Sequence, residues 1–291
     1  MHLALQTFVG QLPTGALYAL VGVGFVIVYR STKVLNFAEG ALALVGGYFF
    51  YSISVDVTRT FWIAILASLA LSALFGALIY FVMLRPLIGQ DALVLVMLTI
   101  ALSIVLGALG LMVWGGNTEF VSTPAHGLLH LPNSVVLSVL NLWVLAFATV
   151  LLAIFASVLR WTRFGAAMRA AADNPLLASY RGINVGAISA WTWALAMVGA
   201  SLAGIAYGAT SGLSPNVGEV LGFAAFPAIV LGGIDSVAGA LVGALILAEV
   251  QGFAVSYVGS AYGDVVGYLA LLAVLVVRPT GLFGSREVVR L

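Results

Sequence analysis

No cysteine occurs in this chain, lysine occurs once, at Lys33, and only 7% of its 291 residues are charged. Without thiols there is no disulfide framework and no thiolate metal centre, and the redox compartment is left undetermined. The lone lysine has no GxxxxGK(S/T) context, so no loop can cradle a nucleotide's phosphates and the chain is not expected to hydrolyse ATP by itself. His2, His126 and His130 do not stand with carboxylates at ligand spacing, and no histidine shares an apolar run with a serine and an acid. That removes both metal-centre and nucleophilic-triad readings, so neither enzyme activity nor a cofactor is expected. A net charge of +1 offers nucleic acid no electrostatic footprint.

What the chain has in abundance is apolar length: 63% hydrophobic residues and a mean hydropathy of +1.18. A soluble domain carries about 25% charged residues. The apolar runs are long enough to cross roughly 30 Å of hydrocarbon as helix, and they lack the alternation of a membrane barrel. Spans are expected at 8–29, 36–54, 61–84, 92–114, 138–159 and 186–209. A less regular region follows, with runs at 220–231, 237–254 and 262–277 and a glycine break, "GGIDS", at 232–236. The fold class is therefore all-α, a polytopic bundle of about eight spans forming one transmembrane domain over 1–291. The break is either a tight turn or the tip of a re-entrant hairpin. The first run has no basic flank and is long enough to span, so an uncleaved first helix is expected rather than a signal peptide.

Basic residues set the orientation. With the N-terminus outside and the C-terminus in the cytoplasm, ten of the eleven basic residues face inward, from Arg30 and Lys33 to Arg286 and Arg290, and only Arg59 faces out. The 115–137 insert, with Gly115, Gly116, Pro124 and Pro132, becomes an external loop. Three GxxxG pairs, Gly204/Gly208, Gly218/Gly222 and Gly239/Gly243, suit close helix crossings or sliding helix faces. "NFAEGALALVGG" at 36–47 and "DSVAGALVGALI" at 235–246 share a polar cap, a Gly-Ala-Leu and an apolar helix, either a weak internal repeat or the chance recurrence of two common residues, glycine and alanine.

Four polar features interrupt the apolar background. Asn36 and Glu39 have capping-box spacing at the start of the second span, with Arg30 and Lys33 near enough to compensate the acid. Thr99 and Ser103 lie one helical turn apart, either bonding their own backbone or lining a passage. Gly232, Gly233, Asp235 and Ser236 form the break, whose following helix offers a second N-terminus that would favour a carboxylate. Glu39, Glu219, Asp235 and Glu249 map near ends or breaks of spans, which argues against a proton relay.

The fourth feature is the insert "RWTRFGAAMRAAADNPLLASYRGINV" at 160–185. Phe164, Met168 and Ala171 follow helical spacing, and Asn174, Pro175 and Gly182 read as cap, first residue and terminator of a second short helix. Leu176, Leu177 and Tyr180 share its face. That apolar knob must lie in the lipid interface or be covered by a partner protein.

This insert resembles the cytoplasmic coupling loop of ABC importer permeases of the branched-chain amino acid family, the LivH-like permeases. "NFAEG" at 36–40, "LTIALS" at 98–103, "AIVLGGIDSVAGALVGA" at 228–244 and "RPTGLFG" at 278–284 are similar to that family as well. Ala101 stands where the family typically has glycine. The resemblance implies a bacterial inner-membrane permease paired with a second, homologous permease, two cytoplasmic ATP-binding subunits and a periplasmic or other extracytoplasmic solute-binding protein. Its implied solute is a branched-chain or other small hydrophobic amino acid, with urea, short amides or aromatic acids as alternatives. ATPase coupling would fall on Phe164, Met168, Asn174, Pro175, Leu176, Leu177, Tyr180 and Gly182. A stand-alone carrier or channel, or an assembly subunit without a path, are the rival readings; only membrane lipid is a partner common to all.

Overall fold

The computed structural model describes residues 2–125, 127–131 and 135–284, so His126, Pro132, Arg286 and Arg290 lie outside the described residues. In chain order it holds α1 (His2–Thr32), α2 (Glu39–Ser52), α3 (Phe61–Ile79), α4 (Ala92–Trp114), a hairpin of β1 (Leu128–Leu131) and β2 (Val135–Ser138), and α5 (Val139–Trp161). There follow α6 (Arg163–Asp173), α7 (Pro175–Tyr180), α8 (Val185–Thr210), α9 (Val217–Gly232), α10 (Val237–Tyr257) and α11 (Gly263–Val277). Among the described residues, eight helical segments are long and apolar enough to cross a membrane. The ninth apolar helix, α9, has 16 residues and spans only about 24 Å.

Several helix starts follow directly from local chemistry, because the first amides of a helix need an acceptor outside it. Ser138, Thr162, Asn174, Asn184 and Ser236 each accept a backbone N–H at the heads of α5, α6, α7, α8 and α10. At the tail of α4, Gly115 takes φ 79°, a conformation costly for any residue with a Cβ.

Helices α1 and α8 form the centre of the bundle, whereas α4, α5 and α11 keep most of their surface outside. Helix α10 runs antiparallel to α1: Thr7 donates to Ser256 at 3.0 Å, and Gly15 faces Leu245 further along. All three GxxxG pairs sit at crossings. Gly204 meets Ala43 and Gly47 of α2, Gly218 meets Ala41, and Gly239 and Gly243 meet Gly232 of α9. Backbones approach there because lipid provides no hydrophobic drive between helices and packing must supply the attraction.

At one end of the bundle the β1–β2 hairpin clasps the start of α1. The Gln6 side chain donates to Val136 O and accepts from Val136 N, both at 2.9 Å. The opposite, arginine-rich end holds Arg30, Arg160 and Arg278. There the "GGIDS" break is a tight turn: α9 ends on Gly233 at φ 112°, and the Ser236 hydroxyl caps α10 at 2.9 Å. The "RPTGLFG" segment folds back onto this turn. Leu282 N and Phe283 N donate to Leu231 O and Gly232 O, each at 2.9 Å, and so satisfy carbonyls that the end of α9 would leave bare.

Candidate functional site

Two helices begin inside the bundle rather than at its edge. After α1, Lys33 takes φ 56° and the chain turns back inward, burying Val34, Asn36 and Ala38. Non-helical backbone at that depth requires partners from the surrounding protein. Thr99 of α4 supplies them. Its hydroxyl accepts from Phe37 N at 3.2 Å and lies 3.1 Å from Leu35 O and 2.9 Å from Val96 O, either of which can take its proton. Thr99→Val keeps the volume but strands two part-buried backbone groups, at about 1 kcal/mol each. A clear drop in the unfolding temperature in detergent is expected for Thr99→Val, with wild-type behaviour for Thr99→Ser; equal melting of all three proteins would remove Thr99 from this role.

The capping box expected at Asn36 does not form. Helix α2 starts three residues later, with Ala38 at its cap position and no side-chain cap. Asn36 instead accepts from Ala38 N at 3.1 Å and donates directly to Glu39 Oε2 at 2.7 Å. The reason is that the inward turn draws Asn36 out of helical register, so its side chain serves the turn. Glu39 is 2% exposed, and its other oxygen, without a hydrogen bond, rests against Gly24, some two turns in from the end of α1. Neither Arg30 nor Lys33 pairs with it among the described residues. Lys33 lies over the Tyr29 ring, 5.6 Å from its centroid.

Helix α9 begins in the same way from the hairpin end. Residues 211–216 dip into the bundle, with Leu213 fully buried beside Gly47. Their backbone is held by a bridge to the 117–121 segment: Glu119 N donates to Leu213 O at 2.8 Å and Leu213 N to Glu119 O at 2.7 Å. The Glu119 carboxylate is itself held by Tyr51 Oη at 2.6 Å. Helix α9 also starts without a side-chain cap, and Gly218 and Gly222 lie against Gly40 of α2.

The two uncapped N-termini therefore meet, and beside them opens a cleft of about 500 Å³. Asn36 lines it from the inward turn, Glu39 and Gly40 from α2, Gly218, Glu219 and Gly222 from α9, and Ser103 from α4. Apolar walls come from Phe37, Ile100, Ile104, Phe223 and Phe226, with Tyr268 of α11 at the rim. Each helix carries an acid in its first turn, where the positive end of the helix dipole stabilises it, Glu39 in α2 and Glu219 in α9. Such a surface can hold both signs at once: amides for a carboxylate, carboxylates for an ammonium, and aromatic and aliphatic walls for a hydrocarbon side chain.

Of the residues singled out from sequence, Asn36, Glu39 and Ser103 are brought together here. Thr99 lies behind the cleft wall, fully buried. Gly232, Gly233, Asp235 and Ser236 sit in the α9–α10 turn and do not line the cleft. The second N-terminus at the cleft is thus that of α9, not α10. A signal for it was present: Asn216-Val217-Gly218-Glu219 repeats the Asn-x-x-Glu spacing of Asn36-Phe37-Ala38-Glu39. Similarity of the apolar tails pointed instead to 235–246, where glycine and alanine recur merely for packing. Glu249 also differs from expectation. It lies well inside α10, about two turns from the end, with neither carboxyl oxygen hydrogen-bonded.

The 160–185 insert splits into an anchor and a knob. Phe164 and Met168 of α6 pack inward with Val23, Ile27 and Phe155. Asn174 caps α7 by accepting from Leu177 N at 2.9 Å, Pro175 occupies its first position, and Gly182 follows at φ 81°. Leu176, Leu177 and Tyr180 are left 64%, 60% and 78% exposed on this single short helix.

A family model described as the permease component of branched-chain amino acid transport systems matches residues 8–275. The chain is 33% identical to the high-affinity branched-chain amino acid transport system permease protein BraD of Pseudomonas aeruginosa, over 98% of this chain and 97% of that one. It is 31% identical to the permease LivH of Escherichia coli K12, over 98% and 96% of the two chains. With the probable branched-chain amino acid transport permease protein LivH of Methanocaldococcus jannaschii it shares 30% identity, over 92% of this chain and 89% of that one. No solved structure matches.

Proposed function

The chain belongs to the branched-chain amino acid transport permease family, and on that premise we propose that the cleft between α2, α4 and α9 is its share of a path for a small hydrophobic amino acid. One observation carries the reading: two uncapped helix N-termini, each with a glutamate in its first turn, converge on an apolar-walled cleft inside the bundle. The amides attract the solute's carboxylate, the exposed Glu219 its ammonium, and Phe37, Ile104 and Phe223 its side chain. A carboxylate at the rim favours an amino acid over a neutral amide, urea or an aromatic acid.

The cleft is open on one side, where Glu219 stands among the exposed Ile104, Phe223 and Tyr268. An ionisable group on a lipid-facing surface is costly, whereas one facing a water-filled path is not. A second, homologous permease closing that side would complete the path. The whole chain acts as one permease domain, N-terminus outside and C-terminus cytoplasmic, as the ten inward basic residues favour. It hydrolyses no ATP; two ATP-binding subunits press on α7 from the cytoplasm, and an extracytoplasmic binding protein delivers solute. The stand-alone carrier reading leaves the exposed knob of α7 without an occupant.

Ser103→Trp places an indole in the cleft from its α4 wall. In the assembled transporter it is expected to lower leucine uptake tenfold or more, while the binding protein's affinity and the basal ATPase rate stay at wild-type values. Normal uptake by a correctly folded complex carrying this substitution would put the path elsewhere.

A further inference from the structure

A second large cavity lies on the other side of α1, and the cleft's chemistry does not involve it. It is a groove of about 840 Å³ between α1, α5 and α10. Along α1 it touches Leu12, Ala16, Val23 and Arg30, positions on one face that span about 27 Å, close to the roughly 30 Å of a bilayer's hydrocarbon. The opposite walls are aliphatic, built from leucine, alanine and valine, and Thr149 is the one hydroxyl in the lining. That hydroxyl is already engaged, donating to Leu145 O at 2.7 Å.

The polarity of the groove is confined to one end, where Arg30 of α1, Arg160 of α5 and Arg169 of α6 all border it. No carboxylate lines the groove, and among the described residues none pairs with these three arginines. Arg169 donates one N–H to Leu159 O, which fixes its guanidinium at the α5–α6 joint and leaves its other donors free. Arg160 lies beside the Trp161 ring, 6.0 Å from its centroid. Three guanidinium groups gathered at the mouth of a bilayer-length aliphatic groove complement a negatively charged head on hydrocarbon chains.

We infer that this groove binds an anionic phospholipid, its chains along α1, α5 and α10 and its phosphate between Arg30, Arg160 and Arg169. A free phosphate would use the arginines but leave the groove empty; a zwitterionic lipid would fill the groove but cancel much of the charge. The bound lipid braces the α5–α6 joint, from which α7 projects. None of this depends on the identity of the transported solute.

The test is native mass spectrometry of the full-length chain in detergent, titrated with phosphatidylglycerol, phosphatidylethanolamine or inorganic phosphate. Phosphatidylglycerol is expected to remain bound selectively. Each arginine contributes about fivefold at a membrane surface, so Arg30→Gln/Arg160→Gln/Arg169→Gln together should weaken retention on the order of a hundredfold. Ala153→Trp, which fills the groove away from the arginines, should weaken it too without changing any charge, and this second variant decides the matter if the triple variant does not fold. Equal retention of phosphatidylglycerol by wild type and Ala153→Trp, equal retention of both lipids by wild type, or displacement of the lipid by millimolar phosphate would each overturn the assignment.

Discussion

Leu177→Asp is expected to leave the protein folded and inserted, and to reduce ATP-driven solute uptake by a hundredfold or more. Its side chain is 60% exposed on α7, and the helix is held by its Asn174 cap and by the inward anchor of Phe164 and Met168, none of which the substitution touches. Stability in isolation should therefore change by no more than about 0.5 kcal/mol, as for other surface replacements. In the proposed coupling to an ATP-binding partner, the same position would meet an apolar surface of that partner. A carboxylate forced into such a contact is desolvated without a counter-ion, and truncation or disruption of a buried interface anchor commonly costs about 2–4 kcal/mol. Uptake assays should show the loss, with Leu177→Ala intermediate. Wild-type uptake by Leu177→Asp with all partners present would exclude α7 as the contact.

Gly40→Ala should be the more damaging change to the protein itself. An added Cβ would collide with Gly218 O, and would come within 2.5 Å of Gly222 N and 2.8 Å of Gly222 Cα. All three are backbone atoms and cannot rotate away, so the starts of α2 and α9 must separate. Overpacking of this kind costs about 1–3 kcal/mol and occasionally more. A lower unfolding temperature in detergent and loss of uptake are both expected, since the same separation deforms the cleft. Gly222→Ala, across the same contact, supplies the control. Its Cβ would reach no nearer than 3.8 Å to Gly40, an ordinary van der Waals distance, so the unfolding temperature should be retained. If the two substitutions behaved alike, the crossing of α2 and α9 would not be as close as described.

Composition and local pattern by themselves determined the helical membrane class, the places of the spans, the two short helices of the 160–185 insert and the exposed knob of Leu176, Leu177 and Tyr180. The physical reason is range. A chain in hydrocarbon must satisfy its backbone within each span, so every crossing is written as a continuous apolar run, and caps such as Asn174 and Ser236 act on amides only three residues away. Only the tertiary structure decided that Asn36 serves an inward turn rather than a capping box, that Thr99 holds that turn while Ser103 faces the cleft, and that α2 meets α9 and not α10. Those outcomes depend on partners far along the chain: Thr99 bonds Leu35 and Phe37, and Gly40 packs on Gly218 and Gly222. Helical periodicity states which face of a helix is small or polar. It does not state which other helix will come to lie against that face, because every glycine- and alanine-rich surface in this chain offers nearly the same packing energy until the whole bundle is assembled.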